Sequence, residues 1–403
     1  MKKIIFIILS LITLTLYSQK SDIDFVSVKG KEIISPDGKP LLLKGINLGF
    51  WLVPEGYMFK FKQANSWRLI NQVISELIGP AEARNFWEKY HENYITKADI
   101  KYIKSTGLNS VRIPFDFRLF TPEDYPDIWI DTGFKLLDNV VKWCKDENLY
   151  VILDMHCAPG GQTGDNIDNS WGYPFLFESD ASKDRMTEIW KKIAGHYKDE
   201  NIIIGYDLMN EPIATYFDRD KLNPYLEPLY KKITTAIREV DAKHLIFPGG
   251  AQWNTNFKAF GKPFDPKLVY NFHKYWCDTT QKEIQEYVDF SNKYNVPLWM
   301  SESGENKDEW ITGWRRMMER NNISWCFWPY KKMDATSCVV QFDLPDGYEK
   351  IIEYANSPRN SFEDIRNLRI NADEAKKILD QFLENCKFEN CKTNKGYLKA
   401  LGL

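Results

Sequence analysis

The sequence predicts an α/β protein folded as a closed (β/α)8 TIM barrel, with an N-terminal β-hairpin plugging its bottom and an extra C-terminal helix. Three observations predict it. Short apolar runs alternate with amphipathic helical runs along most of the chain, the pattern of a parallel sheet covered by helices. Eight such strand runs can be counted between Leu41 and Trp328, the number that closes a barrel. The 403 residues exceed an ordinary domain yet suit one barrel with long loops.

In order, residues 1–19 read as a cleavable export signal. Met1, Lys2 and Lys3 make a basic start, residues 4–16 an apolar run too short to span a bilayer comfortably, and residues 17–22 a polar exit. No cysteine lies beside the expected cleavage near Gln19, so a lipid-modified terminus is not expected and the protein is placed outside the cytoplasm, secreted or periplasmic. Residues 25–403 then form one domain. Residues 25–34 and the turn Ser35-Pro36-Asp37-Gly38 read as the hairpin. The barrel strands are expected at 41–48, 109–115, 150–156, 202–209, 244–248, 268–273, 297–301 and 323–328. Helical patterns fill 66–78, 81–94, 97–105, 132–147, 182–197, 223–240, 281–294 and 308–320. The link between Pro248 and Leu268 shows no clear helix and is the thinnest part of the count. One more amphipathic helix covers 373–384.

Composition narrows the partners. The net charge of -3 argues against nucleic acid or an anionic membrane surface, and a monomer is expected. Fourteen tryptophans and twenty-one tyrosines supply a large core and also the flat, polar-edged faces that sugars need. Seven cysteines do not make a disulfide scaffold in a chain this long. Cys386 and Cys391 are near enough in sequence to close a small loop.

In such a barrel the C-terminal strand ends form the active face. Reading those ends gives Arg112, then His156, then Asn210 and Glu211, then His273 and Tyr275, then Glu302, and last Trp328. An apolar strand delivers Glu211 to a proline, Pro212, which stops strand pairing, and a second apolar run delivers Glu302. Two carboxyls at the ends of two distant strands suggest one site. Each residue alone has a plain structural explanation: a surface ion pair, a satisfied histidine, a capping tryptophan. A polar, titratable group at nearly every strand end does not.

This constellation resembles glycoside hydrolase family 5, the cellulase family of clan A, over residues 41–330. The matching pieces are Arg112-Ile113-Pro114, Asp154-Met155-His156, Asn210-Glu211-Pro212, His273-Lys274-Tyr275, Glu302-Ser303-Gly304 and Trp325-Cys326-Phe327-Trp328. The openings at 45–51 and 156–162 look more like the exo-β-1,3-glucanase and β-glucosidase branches. The resemblance implies a retaining β-glycosidase that cleaves β-glucan, with Glu211 as general acid/base and Glu302 as nucleophile. It implies substrate contacts from Arg112, His156, Asn210 (to the sugar 2-hydroxyl), His273, Tyr275 and Trp328. Trp51 and Trp276 are expected to contact substrate as well, with Tyr57, Trp171, Trp253 and Tyr330 as candidates for outer subsites. The chain departs from the family pattern in placing Ser301 and Ser303 around Glu302, and Glu305 nearby invites confusion with the nucleophile. A β-mannanase of the same family and a non-catalytic glycan-binding barrel are the alternatives. A metal-dependent hydrolase built on Asp154, His156, Asp207 and His273 finds no His-x-His or cysteine cluster to support it, and no metal or cofactor is expected. The polar, glycine-rich loop 157–177 is expected to shape one end of the cleft.

Overall fold

The computed structural model describes residues 24–403; the expected export signal lies outside them. A two-stranded antiparallel hairpin, β1 (Ser27–Lys29) and β2 (Glu32–Ile34), opens the fold. The barrel strands follow: β3 (Lys44–Asn47), β4 (Ser110–Asp116), β5 (Tyr150–Cys157), β6 (Ile203–Asp207), β7 (Leu245–Phe247), β8 (Tyr270–His273), β9 (Leu298–Glu302) and β10 (Ser324–Phe327). They pair in parallel in the order β7-β6-β5-β4-β3-β10-β9-β8. The ring closes between β7 and β8 by single bridges: Ile246 N–H donates to Lys267 O at 2.9 Å and Asn271 N–H to Pro248 O at 3.1 Å. That seam adjoins the link without a clear helical pattern, which holds only a single turn at Ala251–Asn254 and a short 3-10 turn at Phe257–Ala259.

The helices lie close to their expected places, with ends shifted by a few residues. Ser66 precedes Trp67–Ile78, and Gly79 separates that helix from Pro80–Tyr94. Lys97–Ser105 begins where the Thr96 backbone N–H and hydroxyl both donate to the Asp99 carboxylate at 2.8 Å, a reciprocal cap. Beyond β10 the fold is richer than one added helix. A small sheet of β11 (Lys331–Met333), β12 (Val340–Phe342) and β13 (Lys392–Thr393) forms with helices Tyr348–Asn356, Phe362–Leu368, Ala372–Asn385 and Lys395–Ala400. Among the described residues no helix is long and apolar enough to cross a membrane. All seven cysteines are free, so the expected Cys386–Cys391 link is not formed.

Alternation along the strands sorts the barrel interior into layers. The floor is apolar: Val26 and Ile33 of the hairpin pack against Leu43, Ile152, Phe247, Val269 and Trp299, so the hairpin stoppers the bottom as expected. Above it sits a fully buried polar layer of Asn47, Arg112, Asp154, Asp207, Asn271 and Ser301. The mouth carries His156, Glu211, His273 and Glu302, which line the cavity there. A register shift between Phe272 and His273, opposite Met300 and Glu302, turns Glu302 toward the mouth just after Ser301 has pointed inward; a bulge re-aims a side chain in this way.

Candidate active site

A cavity of about 620 Å³ opens at the strand C-terminal ends, lined among others by His156, Glu211, His273, Tyr275, Glu302 and Trp328. Its size is that of a small-ligand site. An oxygen of Glu211, an oxygen of Glu302 and a ring nitrogen of His273 all lie within 4.8 Å of one another. Sequence positions some ninety residues apart thus meet because β6 and β9 end at the same rim.

The polar layer decides which carboxyl keeps a proton. Arg112 is fully buried and donates from Nη1 to Glu302 Oε2 at 2.9 Å and from Nε to Asp207 Oδ2 at 2.8 Å. Its Nη2 lies 3.1 Å from Asp154 Oδ1 and donates to Asn210 Oδ1 at 2.9 Å. Tyr275 adds a hydroxyl to Glu302 Oε1 at 2.8 Å. Burial raises the Glu302 pKa, while the Arg112 guanidinium and the Tyr275 hydroxyl pull it back toward the charged form. Among the described residues Glu211 touches no cation, its partner being the neutral ring of His273. Burial first, then the charge of Glu302, raises its pKa well above that of an ordinary glutamic acid. The two environments push the pair apart, proton on Glu211 and charge on Glu302.

Histidines and loop side chains fix the orientation. Burial lowers the His156 pKa to about 3, so the ring is neutral. Its Nδ1 lies 2.7 Å from Asp154 Oδ2 and its Nε2 lies 3.2 Å from Asn210 Nδ2. That network assigns the proton to Nδ1. His273 Nδ1 lies 2.8 Å from Glu211 Oε1, and its Nε2 has no partner among the described residues. Glu211 itself has φ 42 and Ile213 φ 59, a left-handed backbone that costs free energy in non-glycine residues and needs fixing from outside. Loop 157–177 supplies that. Gln162 donates to His156 O at 2.7 Å and Asn210 O at 2.8 Å, and the Thr163 hydroxyl donates to Glu211 O at 2.8 Å. Ile213 N–H returns to Gln162 O at 2.8 Å. The loop is anchored by Asp168, which accepts from Thr163 N–H at 2.7 Å and Gly164 N–H at 2.8 Å, and it places Asn166 and Ile167 on the cavity wall.

Trp328 spans the cavity wall with its ring stacked on His156 at 5.8 Å and its Nε1–H donated to Tyr57 Oη at 2.7 Å. A Cβ at Gly49 would come within 2.6 Å of the indole, so only glycine lets the ring lie there. Tyr57, Trp253 and Trp276 also reach the cavity. Glu305 is on the wall too, ion-paired with Lys332 at 2.5 Å.

Several expected contacts are corrected. Trp51 is 1% exposed and donates its indole N–H to His91 O at 2.8 Å; it packs under the helices because Phe50, at φ 67, turns the chain before it. Tyr330 is buried, with its hydroxyl on Asp99, and Trp171 lies outside the cavity under the Arg68 guanidinium. Arg112 and Asn210 have no exposed surface. They hold the carboxyls and His156 from the layer below, and neither lines the cavity. Replacing Trp51 by leucine is therefore expected to lower stability by about 2–4 kcal/mol and leave KM within twofold of wild type, read from urea midpoints and steady-state kinetics.

Glu211, His273 and Glu302 are also the group with metal-ligand spacing. They suit a divalent cation poorly, since Glu302 is already neutralised by Arg112 and Glu211 is held protonated by burial.

A proton donor and a charged carboxylate within one sugar's breadth are what cleavage of a glycosidic bond requires, and a barrel mouth so equipped belongs to a glycoside hydrolase. The chain is a member of the cellulase family, glycosyl hydrolase family 5, whose sequence pattern matches residues 73–334. A beta-xylosidase of Phanerodontia chrysosporium is 32% identical over 238 residues, 59% of this chain and 48% of its own length. The chain thus spans about half of that relative. A glucan 1,3-beta-glucosidase of Lachancea kluyveri is 26% identical over 72% of this chain and 69% of its own. Among solved structures an endogalactoceramidase superposes with a TM-score of 0.60 at 17% identity, covering 82% of this chain and 84% of that one, a likeness of fold.

Proposed function

We propose that the chain is a secreted retaining β-glycosidase that hydrolyses β-glucan or its oligosaccharides by double displacement. One observation carries the mechanism: the facing oxygens of Glu211 and Glu302 lie within 4.8 Å. Retaining enzymes hold their two carboxyls about 5–5.5 Å apart, whereas inverting ones leave about 6.5–9.5 Å for a water. Glu302 attacks the anomeric carbon and forms a glycosyl ester while Glu211 protonates the leaving oxygen. Glu211, now charged, then takes a proton from water, which attacks the same carbon and frees Glu302. Tyr275 and Arg112 hold the Glu302 oxygens, and Trp328 offers the sugar an apolar face.

Hydrolysis of an aryl β-glucoside and of laminarin, followed by proton NMR, tests this directly. The first product anomer is expected to be β; an α anomer, or no turnover above a Glu211→Gln control, would sink the proposal and leave a glycan-binding barrel.

The same charges set a bell-shaped pH profile. Glu302 must be ionised, so activity falls as pH drops through its raised pKa. Glu211 must be protonated, so activity falls as pH climbs through its pKa, raised further by burial and Glu302. The two limbs belong to the pair, since each charge shifts the other. Glu211→Gln is expected to abolish the basic limb and to cost about 10²–10⁴-fold in kcat/KM on substrates with poor leaving groups. Dinitrophenyl glucosides, which need no proton, should lose far less in the glycosylation step.

A further inference from the structure

Trp171 lies outside the cavity and is 67% exposed, yet its indole is held in one position. The Arg68 guanidinium lies over one face, 3.5 Å from the ring centroid, and the indole Nε1–H donates to Glu123 Oε1 at 3.3 Å. Both holders are themselves fixed. Arg68 donates to Asn169 O at 2.8 Å, and Arg118 donates to the two Glu123 oxygens at 3.0 and 2.8 Å. A guanidinium stacked on one face of an indole leaves the other face to solvent, a flat apolar surface with a polar edge.

The same loop extends this surface. Phe175 is 45% exposed, and Tyr216, from the loop after β6, is 62% exposed. Tyr173 joins them, with its ring 5.0 Å from Phe175 and 5.4 Å from Phe217, which lies 4.8 Å from Tyr216. The Tyr216 hydroxyl donates to Asp165, whose neighbour Asn166 is on the cavity wall. Exposed aromatics grouped in this way mark a surface that meets a partner. Charge says which kind. Arg68 and Arg118 are matched by Glu123 and Asp116, so the platform has no surplus charge to attract an anionic lipid or a nucleic acid. Flat faces with polar edges suit an uncharged pyranose chain, whose sugars present C–H faces and hydroxyl rims.

We propose that Trp171, with Phe175 and Tyr216, forms a second glycan-binding surface, outside the catalytic cavity, that holds polymeric β-glucan against the loop forming the cavity wall. The inference rests on the glycosidase reading above and extends it from the bond that is cut to the length of chain that is held. Asn166 and Ile167 stand on the wall five and four residues before Trp171. A chain stacked on the indole is therefore kept beside the mouth, whereas a short glucoside that fills only the cavity never reaches it.

Native gel electrophoresis through laminarin, with the cavity blocked by a glucose-configured iminosugar, tests binding without turnover. The wild type is expected to be retarded and Trp171→Ala to run as in a gel without glucan. Trp171→Phe, which keeps a flat ring, is expected to stay retarded. Kinetics give a second readout. Trp171→Ala is expected to raise KM for laminarin about 3- to 10-fold, with kcat and the aryl β-glucoside constants within twofold of wild type. Hydrolysis of the aryl glucoside reports on the catalytic reading alone, so the two readings can fail separately. Equal retardation of wild type and Trp171→Ala, no retardation of the wild type, or equal loss on both substrates overturns the proposal. Capture of the wild type by phosphatidylglycerol vesicles and not by laminarin overturns it as well.

Discussion

Glu302→Ala is expected to lose turnover of an aryl β-glucoside by on the order of 10⁵-fold, and added azide is expected to restore it with an α-glucosyl azide as product. The reasoning is geometric. Alanine leaves a space where the Glu302 carboxylate stood, and a small anion can enter it beside the Arg112 guanidinium and the Tyr275 hydroxyl, both of which previously bonded Glu302. Azide attacks the anomeric carbon once from that face, so the configuration inverts and no ester forms. Glu305, the other acid on the wall, is bound to Lys332 and does not substitute. Azide rescue in Glu305→Ala but not in Glu302→Ala would reverse the assignment.

The second large effect is on Arg112. Three carboxylates, from Asp154, Asp207 and Glu302, converge on its buried guanidinium. Arg112→Met removes their cation and keeps the stem volume. Breaking a buried pair from one side costs about 3–5 kcal/mol, and the fold should weaken by at least that much. Activity is expected to fall as well, because Glu302 then gains a proton near neutral pH. Already in the wild type, burial lifts Asp154 and Asp207 to about 7 from 3.8. A native state that holds more protons than the unfolded chain loses stability as pH rises. The deficit of the variant is therefore expected to be largest above neutral pH and to shrink in acid, where buried carboxyls are neutral. Urea midpoints at pH 5 and pH 8 check it; a deficit that grows in acid would contradict the charge argument.

What the sequence made legible was position along a strand, and what it hid was depth. Glu211 and Glu302 stand at the ends of apolar runs, so period and breaker signals locate them. Arg112 and Asn210 stand at similar strand ends but lie one layer lower, and nothing in a linear pattern separates a group that touches substrate from one that holds the toucher. The burial of Trp51 is hidden because the left-handed residue of the turn is Phe50 and not the glycine beside it, Gly49. Gln162 and Thr163 sit in a loop whose course is set by tertiary contacts, and no periodic run points to them. Past β10, short helices such as Phe362–Leu368 are too brief for a helical period to stand out, whereas Ala372–Asn385 is long enough.

Lys331, at the start of β11, is fully buried. Its ammonium is held by Asp99 at 2.7 Å, by Tyr94 O at 2.6 Å and by Cys386 O at 2.9 Å. The last of these comes from a stretch beyond the residues that the family pattern matches. Cutting the chain after Asp334, where that match ends, would strip a ligand from the Lys331 ammonium and uncover a site built to be dry. Recoding Lys331 to an apolar residue would leave the buried Asp99 without its cation, so a shorter catalytic version must keep the tail.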